Sequence, residues 1–227
     1  CLLYEKFNKP IITVAPIRYE APFWNSKEKW SWLNDFLRSG IDKGLIIPIA
    51  NNKFDKQYCE GYTGREWKHI PSLCEYTEAP YNPRHDTFIY SSLLPAHALG
   101  HDELLKAKEA ALPAGYCWKD LAKFKGIIHI PYCPSTMSIF ENYTSSIPMF
   151  FPSYKFMLEL RESLGRYGVL NQLSWREANQ LPAGSIISYD NVNGTISDIN
   201  NYGNIKEERD WISLSDFYDP EWMPHIQ

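Results

Sequence analysis

Short apolar runs alternate with helix-spaced apolar positions along the first half of the chain. Pro10-Ile-Ile-Thr-Val-Ala-Pro16 is a β-branched run closed by proline, the pattern of a strand buried on both faces of a parallel sheet. Asn25-Ser26 then offers a cap. Beyond it Glu28, Trp30, Trp32, Leu33, Phe36 and Leu37 are spaced for a helix that ends at Gly40. Trp30 and Trp32 read as core by that spacing. Gly44-Leu-Ile-Ile-Pro-Ile-Ala50 is a second buried strand. Asn51-Asn52 opens a helix through Asp55, Gln57 and Tyr58 before Gly61, and Trp67-Lys-His-Ile-Pro71 is a third, weaker strand. The order β-α-β-α-β calls for a parallel sheet with right-handed crossovers.

The polar stretch Thr77-Glu-Ala-Pro-Tyr-Asn-Pro-Arg-His-Asp86 is the best candidate for a linker. It divides the chain into a lobe over 1–84 and a second over 85–227. The second repeats the alternation: a strand over 87–90, a helix over 102–111, a short helix over 118–124 and a strand over 126–130. A helix over 136–143, a strand over 147–151 and a helix over 154–164 follow. After Gly184 the rhythm weakens to one strand, Ser185-Ile-Ile-Ser188, a Gly/Asn-rich loop and an aromatic tail. That tail, from about 205 to 227, is expected to pack back on the first lobe. The chain starts at Cys1 and stops after Met223-Pro-His-Ile-Gln227 without a closing helix signal, so neighbouring domains of a longer polypeptide are expected.

Composition narrows the partners. Of 227 residues, 44 % are hydrophobic and 22 % charged, a globular balance. A formal charge of -4 argues against nucleic acid, which needs a basic face. No run of about 18 apolar residues is present and the first residues lack the shape of a signal peptide, so a cytoplasmic location is expected. Five scattered cysteines, with no Cys-x-x-Cys pair, read as reduced and mostly buried thiols. The tripeptides Asn142-Tyr-Thr144 and Asn193-Gly-Thr195 have the form of glycosylation acceptors but are common by chance.

The stretch richest in chemistry is Gly126-Ile-Ile-His-Ile-Pro-Tyr-Cys-Pro-Ser-Thr-Met-Ser-Ile-Phe-Glu141. It reads as a buried strand, a proline-framed turn and a helix whose first turn carries hydroxyls, the corner of an α/β sheet where ligands bind. Ser135 is the expected cap. The free N–H groups of Thr136, Met137 and Ser138, with the helix dipole behind them, suit a pyrophosphate. Glu141 lies near the face of Met137 and Ser138, where its carboxylate would accept from a ribose diol. The local pattern alone favours the plainer reading, in which Ser135 only caps and Glu141 is an exposed helix residue. Tyr90-Ser91-Ser92 follows the first strand of the second lobe and offers further hydroxyls.

The run from His129 to Ser153 resembles the donor-binding strand, loop and helix of GT-B glycosyltransferases, in which a serine-rich turn meets the diphosphate and a glutamate holds the ribose. The segments Pro16-Ile-Arg-Tyr-Glu20, Ala50-Asn-Asn52, Thr63-Gly64 and Pro71-Ser72 resemble acceptor-side loops of the same fold, as does the tail Trp211 to Asp219. The combination is similar to glycosyltransferases of algae and large algal viruses, where several transferase domains share one polypeptide. The resemblance implies two Rossmann-like lobes facing a cleft, with a donor site of Ser91, His129, Tyr132, Ser135, Thr136, Met137, Ser138 and Glu141. It implies transfer of a sugar, a deoxyhexose such as L-rhamnose first, from a nucleotide-diphosphate sugar to a glycan hydroxyl, with UDP favoured over GDP. Retaining members carry a second glutamate eight residues earlier, where this chain has Cys133; that leans toward inversion.

An inverting transfer needs a base for the acceptor hydroxyl. Glu20, beside Arg18 at the end of the first strand, is the first choice, although the two also read as a surface ion pair. His85 and His101 follow as bases, and Arg84, Lys119, Lys123 and Lys125 as cations for the leaving group. No Asp-x-Asp run occurs, so no metal and no cofactor beyond the nucleotide-sugar co-substrate are expected. The competing reading is a non-catalytic nucleotide-sugar or glycan-binding domain. A dinucleotide oxidoreductase fits poorly, since no Gly-x-Gly-x-x-Gly follows a strand.

Overall fold

A computed structural model describes residues 9–15, 27–92, 112, 115–164, 169–170 and 212–226. The described chain is mixed α/β with two three-stranded parallel sheets, and it divides into two compact units. One holds 9–71 with 212–215, and the other 72–170 with 216–226. The helix expected over 102–111 and the strand at 185–188 lie outside the described residues.

In the first unit the sheet order is β1 (Ile11–Ala15), β2 (Ile46–Ala50), β3 (Lys68–His69). Ile11 is in register with Ile46, and Ala50 with His69. Helix α1 (Lys27–Asp42) follows β1, and α2 (Lys53–Thr63) follows β2. Aromatic side chains fill the space beneath them: Trp30 meets Tyr62 edge-on at 5.1 Å, and Trp67 donates its indole N–H to Thr63 Oγ1 at 3.0 Å. Asn52 caps α2 by accepting the Asp55 N–H at 2.6 Å.

The structure corrects three readings here. Both helices outrun the glycines expected to stop them, α1 ending at Asp42 rather than Gly40 and α2 at Thr63 rather than Gly61. The left-handed turns fall at Gly44 (φ 67°) and Gly64 (φ 62°), where a side chain is disfavoured. Strand β1 is not buried on both faces, because Ile12 and Val14 are exposed while Ala15 is buried. Trp30 is in the core, whereas Trp32 is exposed and stacks on Phe36 at 6.0 Å.

In the second unit the order is β4 (Phe88–Ser91), β5 (Gly126–His129), β6 (Met149–Phe150). Helix α3 (Trp118–Leu121) precedes β5, α4 (Met137–Thr144) links β5 to β6, and α5 (Tyr154–Leu164) follows β6. Gly126 lets β5 and the approach to β6 close up: a Cβ there would stand 2.7 Å from the Pro148 carbonyl. Buried Arg161 on α5 donates to the carbonyls of Val169 and Leu170, each at 2.9 Å.

Residues 72–84, placed in the first lobe by the linker argument, pack in this unit. The Asn82 N–H donates to the Ala122 carbonyl at 3.1 Å, and the hydroxyls of Thr77 and Ser145 pair at 3.1 Å. Residues 216–226 also lie on this unit. Asp216 N–H donates to Pro134, Tyr218 donates to the Pro152 carbonyl at 2.8 Å, and Phe217 stacks on Phe151 at 4.6 Å. No helix among the described residues is long and apolar enough to cross a membrane.

Candidate functional site

The second sheet ends, at the carboxyl edge of its strands, in a polar pair. Ser91 closes β4 and His129 closes β5, in register with each other, so parallel pairing sets their side chains together. Nδ1 of His129 and Oγ of Ser91 are 2.9 Å apart. The ring is 7 % exposed, and burial pulls its pKa down from 6.5 to about 4, so it is neutral near pH 7. Phe151 stands edge-on to it at 5.3 Å, and its Nε2 is buried without a hydrogen-bond partner.

The loop from Ile130 leads into α4. Burial raises the Tyr132 phenol pKa, with the neighbouring Cys133 adding to the effect. The expected cap is displaced by one residue: Thr136, extended at φ -142°, holds the cap position rather than Ser135, and its side chain makes no cap bond. Thr136 Oγ1 instead pairs with Ser138 Oγ at 2.9 Å. The hydroxyls of the first turn thus bond to each other, and Met137 is exposed between them. Ile139, Phe140 and Asn142 turn inward.

Glu141 follows Ser138 by one turn, and its surroundings are the most constructed feature of the unit. Tyr76, from a 3₁₀ turn over Glu75–Thr77, donates its hydroxyl to Glu141 Oε1 at 2.6 Å. That bond is the first cause of a phenol pKa raised well above its ordinary value, with burial second. Tyr76 also meets Trp118 edge-on at 5.4 Å. Between α4 and the segment from Tyr116 to Leu121 lies a cleft of about 350 Å³. Ser138, Glu141 and Asn142 form one wall, and Tyr116, Trp118 and Leu121 the other, with Cys117 at its border. Cys117 N–H donates to Asp120 at 3.0 Å, which turns the start of α3.

Of the residues expected in a donor site, the structure brings Ser138 and Glu141 into one cleft and joins Ser91 to His129. Thr136 and Met137 lie in the first turn of α4, Ser135 and Tyr132 in the loop before it. Glu20 and Arg18, like His101, lie outside the described residues. His85 stacks on Phe124 at 4.7 Å, while Lys123 and Lys125 are held by Asp120 at 2.8 Å and Asp86 at 3.0 Å. Among the described residues no lysine or arginine lines the cleft. Among the described residues no three His, Cys, Asp or Glu side chains converge as metal ligands.

The sequence reading missed Tyr76, Tyr116, Trp118 and Asn142. Asn142 drew notice only as a glycosylation tripeptide; it is buried on the inner face of α4. No protein family, no curated protein and no solved structure matches the chain.

Proposed function

We propose that this chain is a nucleotide-sugar-dependent glycosyltransferase of the two-lobed GT-B type, with its donor held by the second unit. The observation that carries the reading is Glu141. Its carboxylate is fixed by Tyr76 at 2.6 Å beside an aromatic-walled cleft, one helical turn from the hydroxyls of Thr136 and Ser138. A fixed carboxylate with spare lone pairs suits a vicinal diol of the donor. The first turn of α4 offers N–H groups and the positive end of a helix dipole to a diphosphate, and Ser91 and His129 stand at the carboxyl edge of the same sheet.

In the transfer an acceptor hydroxyl attacks the anomeric carbon. A base, assigned to Glu20 with Arg18 beside it in sequence, takes the proton as the nucleoside diphosphate leaves. The acceptor is a glycan hydroxyl, the sugar a deoxyhexose such as L-rhamnose, and the carrier UDP before GDP. An inverting, metal-independent course completes the proposal. The second reading, a non-catalytic sugar- or nucleotide-binding domain, is favoured by one observation: among the described residues no cation lines the cleft to receive phosphate charge.

The two separate in an NMR-monitored turnover assay on a panel of UDP-, GDP- and dTDP-sugars, with and without glycan acceptors. Release of nucleoside diphosphate that Glu20→Gln abolishes supports transfer. Binding of a sugar nucleotide with no turnover under any acceptor supports the binding domain instead.

A further inference from the structure

The proposed function makes no use of the aromatic side of the cleft beside α4, nor of its charge. Tyr116 and Trp118 wall one side, and Glu141 supplies the one charge of the lining among the described residues. Tyr76 donates to its Oε1 at 2.6 Å, and that bond raises the phenol pKa, so the donor is a neutral hydroxyl that leaves the negative charge in place. Lys123, on the far side of α3, is held by Asp120 at 2.8 Å. A carboxylate facing aromatic rings is the complement of a cation. Among cations a guanidinium fits best: it is planar and weakly hydrated, stacks on aromatic faces and presents a fork of N–H donors to a carboxylate, whereas an ammonium is a compact, strongly hydrated point charge. The rim is apolar and exposed at Tyr116, at Tyr76 and at Met137, which lies four residues before Glu141 on α4. Aromatic and methionine side chains are enriched in protein interfaces, and arginine is a frequent anchor there. A volume of about 350 Å³ is at the small end of ligand pockets, which suits one inserted side chain.

We propose that this cleft is a docking site for a protein partner that inserts one arginine. The guanidinium stacks on Trp118 and donates to the Glu141 carboxylate, while apolar residues flanking the arginine cover Tyr116 and Met137. The inserted arginine takes the carboxylate that the proposed function gives to the ribose, so partner docking and sugar-nucleotide binding exclude each other. That exclusion rests on the proposed function; arginine binding rests on the cleft alone.

The test titrates the full chain with the blocked tripeptide acetyl-Leu-Arg-Leu-amide. The readout is the indole N–H signal of Trp118 in ¹H–¹⁵N spectra, identified by its loss in Trp118→Phe. The peptide is expected to move that signal saturably. Citrulline in place of the arginine keeps the shape and removes the charge, and is expected to weaken binding about tenfold; lysine in its place is expected to weaken it about threefold. In Glu141→Gln the preference for arginine over citrulline is expected to fall below about twofold. Glycine in place of both leucines is expected to weaken binding about threefold or more, through the loss of apolar cover. A Trp118 signal unmoved by the arginine peptide overturns the site. So does equal binding of the citrulline peptide, or an arginine preference that survives in Glu141→Gln. Equal binding of the glycine-flanked peptide marks a site for small guanidinium compounds and overturns protein docking. Sugar-nucleotide binding beside a negative peptide result leaves the proposed function standing, whereas peptide binding with no nucleotide binding keeps the docking site and removes the transferase. Where both bind, displacement of one by the other supports the exclusion, and simultaneous occupancy overturns it.

Discussion

Acid is expected to destabilise this protein through one imidazole. His129 is 7 % exposed, packed edge-on against Phe151 and bonded to Ser91, and burial lowers its pKa from 6.5 to about 4. In the unfolded chain the ring takes up a proton as pH falls through 6.5; in the folded protein it stays neutral until about pH 4. The unfolded state binds more protons throughout that window, so stability rises with pH across it and is fully present above 6.5. At about 1.4 kcal/mol per pH unit, the gap is worth about 3 kcal/mol, lost between neutral pH and about pH 4. The assay is urea unfolding, followed by tryptophan fluorescence and far-ultraviolet circular dichroism, over that range in the wild type and in His129→Gln. Glutamine keeps a polar group near Ser91 and does not titrate, and the carboxylates common to both proteins cancel in the difference. The stability of the wild type relative to the variant should fall by about 3 kcal/mol on acidification. A difference flat to within about 0.5 kcal/mol would show that the ring is solvated or charged when folded, and would refute the buried neutral pair.

Two further substitutions probe the sheet and the cleft. Gly126→Ala places a Cβ 2.7 Å from the Pro148 carbonyl, with the Phe88 and Phe150 rings at 3.3 Å, and should cost about 1–3 kcal/mol; an unchanged melting temperature would mean that β5 and β6 are not so closely joined. Tyr76→Phe deletes the bond to Glu141 from a side chain that is 56 % exposed. Stability should move by less than about 0.5 kcal/mol, while affinity for the sugar nucleotide falls about tenfold, as for the loss of a bond to a charged group. Calorimetry that finds full affinity in Tyr76→Phe would separate that bond from binding.

The strands were legible because β-branched runs such as Ile11–Ala15 and Ile46–Ala50 have few other uses. Their exposure was not, since two-sided burial depends on what covers the sheet, and Ile12 and Val14 on β1 are open. Helix ends were misread at Gly40 and Gly61 because a glycine at a plausible stop looks the same whether it supplies a left-handed turn or a close approach. Gly40 serves the second purpose: a Cβ there would collide with the side chain of Ile46. Pairing explains what the candidate site concealed. Ser91 and His129 meet through strand register, which a parallel-sheet reading anticipates in kind. Tyr76 reaches Glu141 across 65 positions of sequence, and the wall at Trp118 comes from a segment whose pattern reads only as a short helix. Side chains that converge from separate loops leave no local periodicity to find.

The central claim is that the second unit holds a sugar nucleotide through Glu141. Calorimetric titration of the purified chain with UDP-, GDP- and dTDP-sugars, repeated on Glu141→Gln, tests it most directly. The account predicts selective binding of one nucleotide class, weakened about tenfold or more by the loss of the carboxylate's charge. A well-folded chain that binds none of them, or binds equally well as Glu141→Gln, would contradict it.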